Sequence, residues 1–249
     1  MTDREKYQKF IKYMWSPVWE FVESEHLMPM LESYITPEQA AFLTGFPHFN
    51  TTIEELARMR SQDPAELKPK VKELCRKGLI YEAINEDKVE YRLFTLAEMF
   101  ARAPFWSGKG EDDRKALAPN FTKYYHDGFW EQHRHFDPVE LRALPINQTV
   151  DDDRSFAPYE DVKKVVESAE YFTVSHCVCR ERYRLDPDFE DSPAPIETCL
   201  HFDELGRYCV ENGHGREITK EETLEILKEA ADAGLVHGIP NHTEHPTTI

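Results

Sequence analysis

No run approaching the roughly 18 apolar residues needed to cross a bilayer occurs in this 249-residue chain, so no membrane-spanning helix is expected. The opening Met1-Thr2-Asp3-Arg4-Glu5-Lys6 lacks the apolar stretch of a secretion signal. Cysteine is sparse and odd in number, five in all, which excludes a disulfide scaffold and points to a reducing, cytoplasmic setting. Internal repeats and low-complexity tracts are missing. Catalytic signatures are missing too: there is no G-x-S-x-G, no phosphate-cradling glycine-rich loop and no H-E-x-x-H. The nearest glycine pattern, Gly213-x-Gly215, reads as a helix terminator. A non-catalytic carrier or accessory protein is therefore expected rather than an enzyme.

Apolar material is plentiful: 40% of residues are hydrophobic and 12% aromatic, enough for one large or two ordinary domains with real cores. The 47 acidic and 30 basic residues give a net charge of −17. The expected class is α+β, mainly helical, with a winged-helix-like N-terminal region and a smaller cysteine-bearing domain of helices and strands.

Residues 1–35 read as a helical segment with Phe10, Ile11, Met14, Trp15, Trp19 and Phe21 as apolar points. Residues 36–98 open with the capping box Thr36-Pro37-Glu38-Gln39, repeat the device at Thr52-Ile53-Glu54-Glu55, and start a third helix at Asp63-Pro64. Leu67, Val71, Leu74 and Cys75 recur at helical spacing, Pro69 should kink the helix, and Gly78 suits its end. Two strands, 79–84 and 89–94, then flank the polar turn Asn85-Glu86-Asp87-Lys88. Three helices and a hairpin form the winged-helix order. Arg58 to Lys77 carries seven basic residues against three acidic, yet residues 36–98 carry nine against eleven. With −17 overall, phosphate contacts face long-range repulsion, so protein contacts are expected and DNA is not.

Residues 99–150 form an aromatic-rich helical connector with His126, His133 and His135, which are expected to be polar residues of an amphipathic helix. Residues 151–249 begin with the acidic linker Asp151-Asp152-Asp153 and a helix from Pro158 to about Ser168. A strand is expected over Tyr171–Cys179, a helix over Glu197–Asn212, and another helix behind the capping box Thr219-Lys220-Glu221-Glu222.

Four of the five cysteines, Cys177, Cys179, Cys199 and Cys209, crowd into this last region. On an extended segment Cys177 and Cys179 leave the same face and can reach one soft metal centre. Cys199, near a helix start, would be favoured as thiolate. Arg180, Arg182 and Arg184 follow the pair, and their charge would lower thiol pKa values and favour a reduced cluster. Within one helix, Cys209 would stand about 15 Å from Cys199, which assigns Cys209 to packing, with Cys75 likewise. His176, His201 and His237 can each donate to a metal.

Taken in order, Val174-Ser175-His176-Cys177-Val178-Cys179-Arg180, Glu197-Thr198-Cys199-Leu200, Gly213-His214-Gly215-Arg216-Glu217-Ile218 and Ala233-Gly234-Leu235-Val236-His237 resemble a family of anaerobe-associated 4Fe-4S proteins. Asp63-Pro64 to Gly78-Leu79 and Leu144-Pro145-Ile146-Asn147 also look similar. The resemblance implies an N-terminal winged-helix-like region and Cys177, Cys179 and Cys199 as cluster ligands. It implies a fourth ligand from a cysteine-rich run beyond His237 and Asn241; the sequence given ends at Thr247-Thr248-Ile249. His237 is carried as the remaining metal candidate, and Arg180 and Arg182 as cofactor-contacting residues.

The expected function is an iron–sulfur electron carrier serving a redox partner protein; a homodimer is compatible with it. The alternatives are a metal- or redox-sensing winged-helix regulator and a zinc-stabilised interaction scaffold.

Overall fold

A computed structural model of the chain describes residues 1–14, 21–85, 88–109, 111–133, 141–144, 162–240 and 248–249. Trp15, Trp19, Glu86-Asp87, His135, the linker Asp151–Asp153, Pro158 and Asn241 lie outside the described residues. Among those described, the fold is α+β and mainly helical.

Helices α1 (Asp3–Tyr13) and α2 (Leu27–Tyr34) precede α3 (Pro37–Leu43), α4 (Ile53–Arg60) and α5 (Pro64–Arg76). Local chemistry starts them. Thr36 and Thr52 each close a capping box, with Gln39 and Glu55, and Asp63 caps α5 ahead of Pro64. The helical assignment of α5 runs unbroken through Pro69. It ends at Gly78, whose φ of +75° is left-handed; a Cβ there would lie 2.5 Å from that of Ala103. Strands β1 (Ile80–Asn85) and β2 (Lys88–Leu93) follow as an antiparallel hairpin, and Thr51 bridges to Tyr91.

A π-helical turn, Ala97–Arg102, leads into α6 (Ala103–Trp106) and α7 (Glu111–Tyr124). A second π-helical turn, Tyr125–Phe129, then leads into α8 (Trp130–His133). Next come β3 (Leu141–Leu144), α9 (Val162–Ser168), β4 (Phe172–His176), α10 (Val178–Leu185), β5 (Glu197–Phe202), α11 (Asp203–Glu211), β6 (Arg216–Ile218), α12 (Lys220–Asp232) and β7 (His237–Pro240). Strands β5-β4-β6 form a three-stranded antiparallel sheet, and β3 pairs with β7.

Two expectations are corrected. The Cys-x-Cys pair is not on a strand: β4 stops at His176 and α10 starts at Val178. Beyond His176 the buried Glu181, Arg182 and Leu185 recur at helical spacing, and this amphipathic pattern outweighs the β propensity of Val178. Nor is Glu197–Asn212 one helix. Its first part is β5, because Glu197 and Cys199 to Phe202 pair with β4, and α11 begins at Asp203 with a left-handed φ of 49°.

The sheet alternates between two cores. Phe172 and Val174 pair with Phe202 and Leu200 on the face that packs with Val165, Val166 and Leu227 in a small core. Thr173 and Ser175 pair with His201 and Cys199 on the other face. There α11 packs on β4 and β5, α6 touches β4, and Tyr208 and Cys209 belong to the large core of the N-terminal helices. This second face, partly polar yet buried, positions the site.

Candidate functional site

Cys177 occupies the N-cap of α10, where unpaired backbone N–H groups and the helix dipole converge. Its thiol is held down to about 6, chiefly by the Cys179 thiol donating to it. Burial opposes the shift, and the N–H of Arg180, the Arg180 charge and the N–H of Cys179 add to it. Cys179, one turn-position on, is pushed up as the donor of the pair. Cys199 on β5 is pushed up to about 12, by burial first and then by the Cys177 charge; Arg102, Thr248 and Trp106 act the other way. The three candidate thiols therefore sense one another. The helix-start chemistry expected for Cys199 belongs to Cys177.

The arginines divide their work. Arg180 donates through Nη2 to the Pro195 carbonyl at 2.7 Å and to the Thr198 hydroxyl, tying α10 to the segment that leads into Cys199. Arg182 is buried among Phe121, Tyr125 and Tyr183, its guanidinium 4.9–5.4 Å from their ring centres. Its charge still lowers the Cys179 pKa. Arg184 and Arg114 both donate to Glu181, which is fully buried. Burial pushes this carboxyl up, but the two arginines overcome it and hold it down to about 2. His176 Nδ1 lies 3.3 Å from the same carboxylate, and Gly108 packs so closely on that ring that a Cβ would fall 2.2 Å from Cε1.

On the buried face of the sheet, His201 is fully desolvated and its pKa falls to about 3, through burial, Arg102 and His214 in that order. Its Nδ1 lies 3.2 Å from the Thr248 hydroxyl, its Nε2 has no hydrogen-bond partner, and its ring meets Trp106 edge-on at 4.9 Å. The Ser175 hydroxyl, across the strand pair from Cys199, also makes no regular hydrogen bond. Gly215 is a close-approach glycine as well as a terminator: a Cβ would lie 2.6 Å from Ser175 Oγ and 2.8 Å from the Val174 carbonyl.

Cys209 and Cys75 are fully buried in the large core. The separation argued for Cys209 does not hold, because Cys199 is on a strand and α11 folds back over it; the two are close enough for the Cys199 charge to raise the Cys209 pKa. His237 sits on β7, where its ring pairs with the Leu227 carbonyl, and no interaction with a cysteine is seen among the described residues. His126 lies in the second π-helical turn. Among the described residues, no three His, Cys, Asp or Glu side chains are arranged to hold a single metal ion, and no helix is long and apolar enough to cross a membrane.

Sequence reasoning missed Trp106, Arg102, Glu181 and Arg114. A clue was present: Glu181 interrupts the Arg-rich run behind the cysteine pair, a carboxylate where cations collect. No family model matches the chain, and neither the curated proteins nor the solved structures contain a match.

Proposed function

We propose that this chain is a cytoplasmic iron–sulfur protein that passes electrons to or from a partner redox enzyme. The observation carrying the reading is the mutual influence of Cys177, Cys179 and Cys199 where α10 starts beside β5. A bound cluster would supply one-electron transfer. Cys177, Cys179 and Cys199 are the residues that would hold it.

The chain's own residues have definable parts. Cys177 is favoured as thiolate by the start of α10. The Trp106 indole donates to the Cys199 sulfur, and Arg102 and Arg180 place positive charge near the thiols, which favours the reduced state. His201 Nε2 is buried on the Cys199 face without a hydrogen-bond partner, while the Ser175 hydroxyl beside it turns to the Cys209 thiol. Cys179 is exposed, giving electrons a short way to a partner. Thr248 and Ile249 run along β5 beside His201 and Leu200.

Residues 36–98 are read as a winged-helix-like module used on protein. Its helix–helix–helix–hairpin order supports the first half of that reading. The second half is supported by Lys72, which is already paired with Glu82 at 2.6 Å and Glu211 at 3.2 Å. Iron and acid-labile sulfide, measured on full-length protein purified without oxygen, test the proposal. Iron with a visible absorption that bleaches on reduction, lost in Cys177→Ala, is expected. Protein without iron, or with zinc in its place, overturns it.

A further inference from the structure

The geometry points to an oxyanion site in the cavity between the end of α5, the α6–α7 connection and the start of α7, with room for phosphate or the phosphoryl end of a larger molecule. The cavity measures about 140 Å³, and Arg76, Lys77, Ser107, Lys109 and Arg114 line it, with Asp113 as the one carboxylate. That volume admits one tetrahedral anion. The inference stands apart from the iron–sulfur reading and holds or falls without it.

Four cations around one small cavity are unexpected in a chain with 47 acidic and 30 basic residues. Arg114 is already paired with Glu181, and Asp113 does little to neutralise the other three. Its side chain is 67% exposed and comes only to 3.8 Å from Lys77. Lys77 itself is largely withdrawn from water: its Nζ lies 5.0 Å from the centre of the Tyr34 ring and hydrogen-bonds Gln39 at 3.1 Å. Burial lowers its pKa despite Asp113 and Glu73, the mark of an ammonium short of counter-charge. Arg114 is 3% exposed and anchored on Glu181, so its guanidinium is presented in a fixed orientation.

Donors thus reach the cavity from separate sides, a guanidinium and ammonium set with the Ser107 hydroxyl among them, which matches a multiply charged tetrahedral anion better than a planar carboxylate. Gly108, at φ +64° against His176, holds the Ser107–Lys109 lip in place. His214, on the same wall, is uncharged near neutrality, so among the described residues Asp113 is the one anionic group on the lining.

Calorimetric titration of the full chain with inorganic phosphate at low ionic strength tests the site. Arg76 and Lys109 are both exposed, so Arg76→Gln with Lys109→Gln removes two cations without disturbing the core. Saturable one-to-one binding, absent with chloride at equal ionic strength and weakened at least tenfold in the double variant, is expected. Glycerol phosphate binding tighter than phosphate identifies a phosphoryl group as the ligand; equal or weaker binding identifies the free anion. Absence of saturable binding overturns the proposal, as does binding that the double variant leaves unchanged.

Discussion

Acid should weaken this fold through His214, a residue buried where α11 meets the hairpin region. Its ring stacks on Tyr208 at 5.4 Å and meets Trp106 edge-on at 6.0 Å. Nε2 lies 3.0 Å from the Cys75 carbonyl, so that nitrogen carries the proton and donates it. Burial lowers the pKa from 6.5 to about 4, only partly opposed by the Cys75 carbonyl. A histidine kept neutral by folding contributes full stability above its unfolded pKa and loses it as pH falls from 6.5 towards 4. That fall in pKa corresponds to roughly 3 kcal/mol lost between pH 7 and pH 4, of which about 2 is gone by pH 5. His214→Gln retains an N–H for Cys75 and removes the titration. Urea unfolding of the metal-free chain and the variant at pH 7, 5 and 4 separates this group from the carboxylates, which both proteins share. The wild type should lose about 2 kcal/mol more than the variant between pH 7 and 5. Parallel pH profiles for the two proteins would refute the assignment.

Three further outcomes follow from packing and charge. Glu181→Gln leaves Arg114 buried without its carboxylate and should cost about 3–5 kcal/mol, read as a fall in the denaturation midpoint; a loss under 1 kcal/mol contradicts the buried ion pair. Gly215→Ala drives a methyl group into Ser175 and the Val174 backbone and should cost about 1–3 kcal/mol, whereas Gly213, with open space around its Cα, should lose only the strain of its φ of +75°. Tyr208→Phe removes a 2.8 Å hydrogen bond to the Cys75 carbonyl and should cost about 1 kcal/mol, unless His214 alone satisfies that carbonyl, in which case thermal unfolding is unchanged.

The elements legible in the sequence are those fixed within a few residues. Thr36 and Thr52 cap through partners three residues away, Thr219 caps α12 through the Glu222 N–H, and Gly78 ends α5 by its own backbone freedom. What was misread depends on distant pairing. Cys199–Phe202 is a strand because Phe172 to Ser175 lie beside it, and short apolar runs cannot declare such a partner. The site follows the same division. Spacing marks Cys177 and Cys179 as a pair, whereas Cys199, taken for a helix-start residue, stands on β5. Trp106, Arg102 and Arg114 come from elements far earlier in the chain, and Arg114 is 67 residues from the Glu181 it holds. The misplaced junction also carries the chemistry. A strand through Cys179 would commit its N–H groups to sheet pairing, whereas stopping β4 at His176 and starting α10 at Val178 leaves the first helical N–H groups unpaired around Cys177. The thiolate tendency of Cys177 therefore arises from the strand-to-helix switch itself, and any substitution that extended β4 by two residues should abolish it without touching a cysteine.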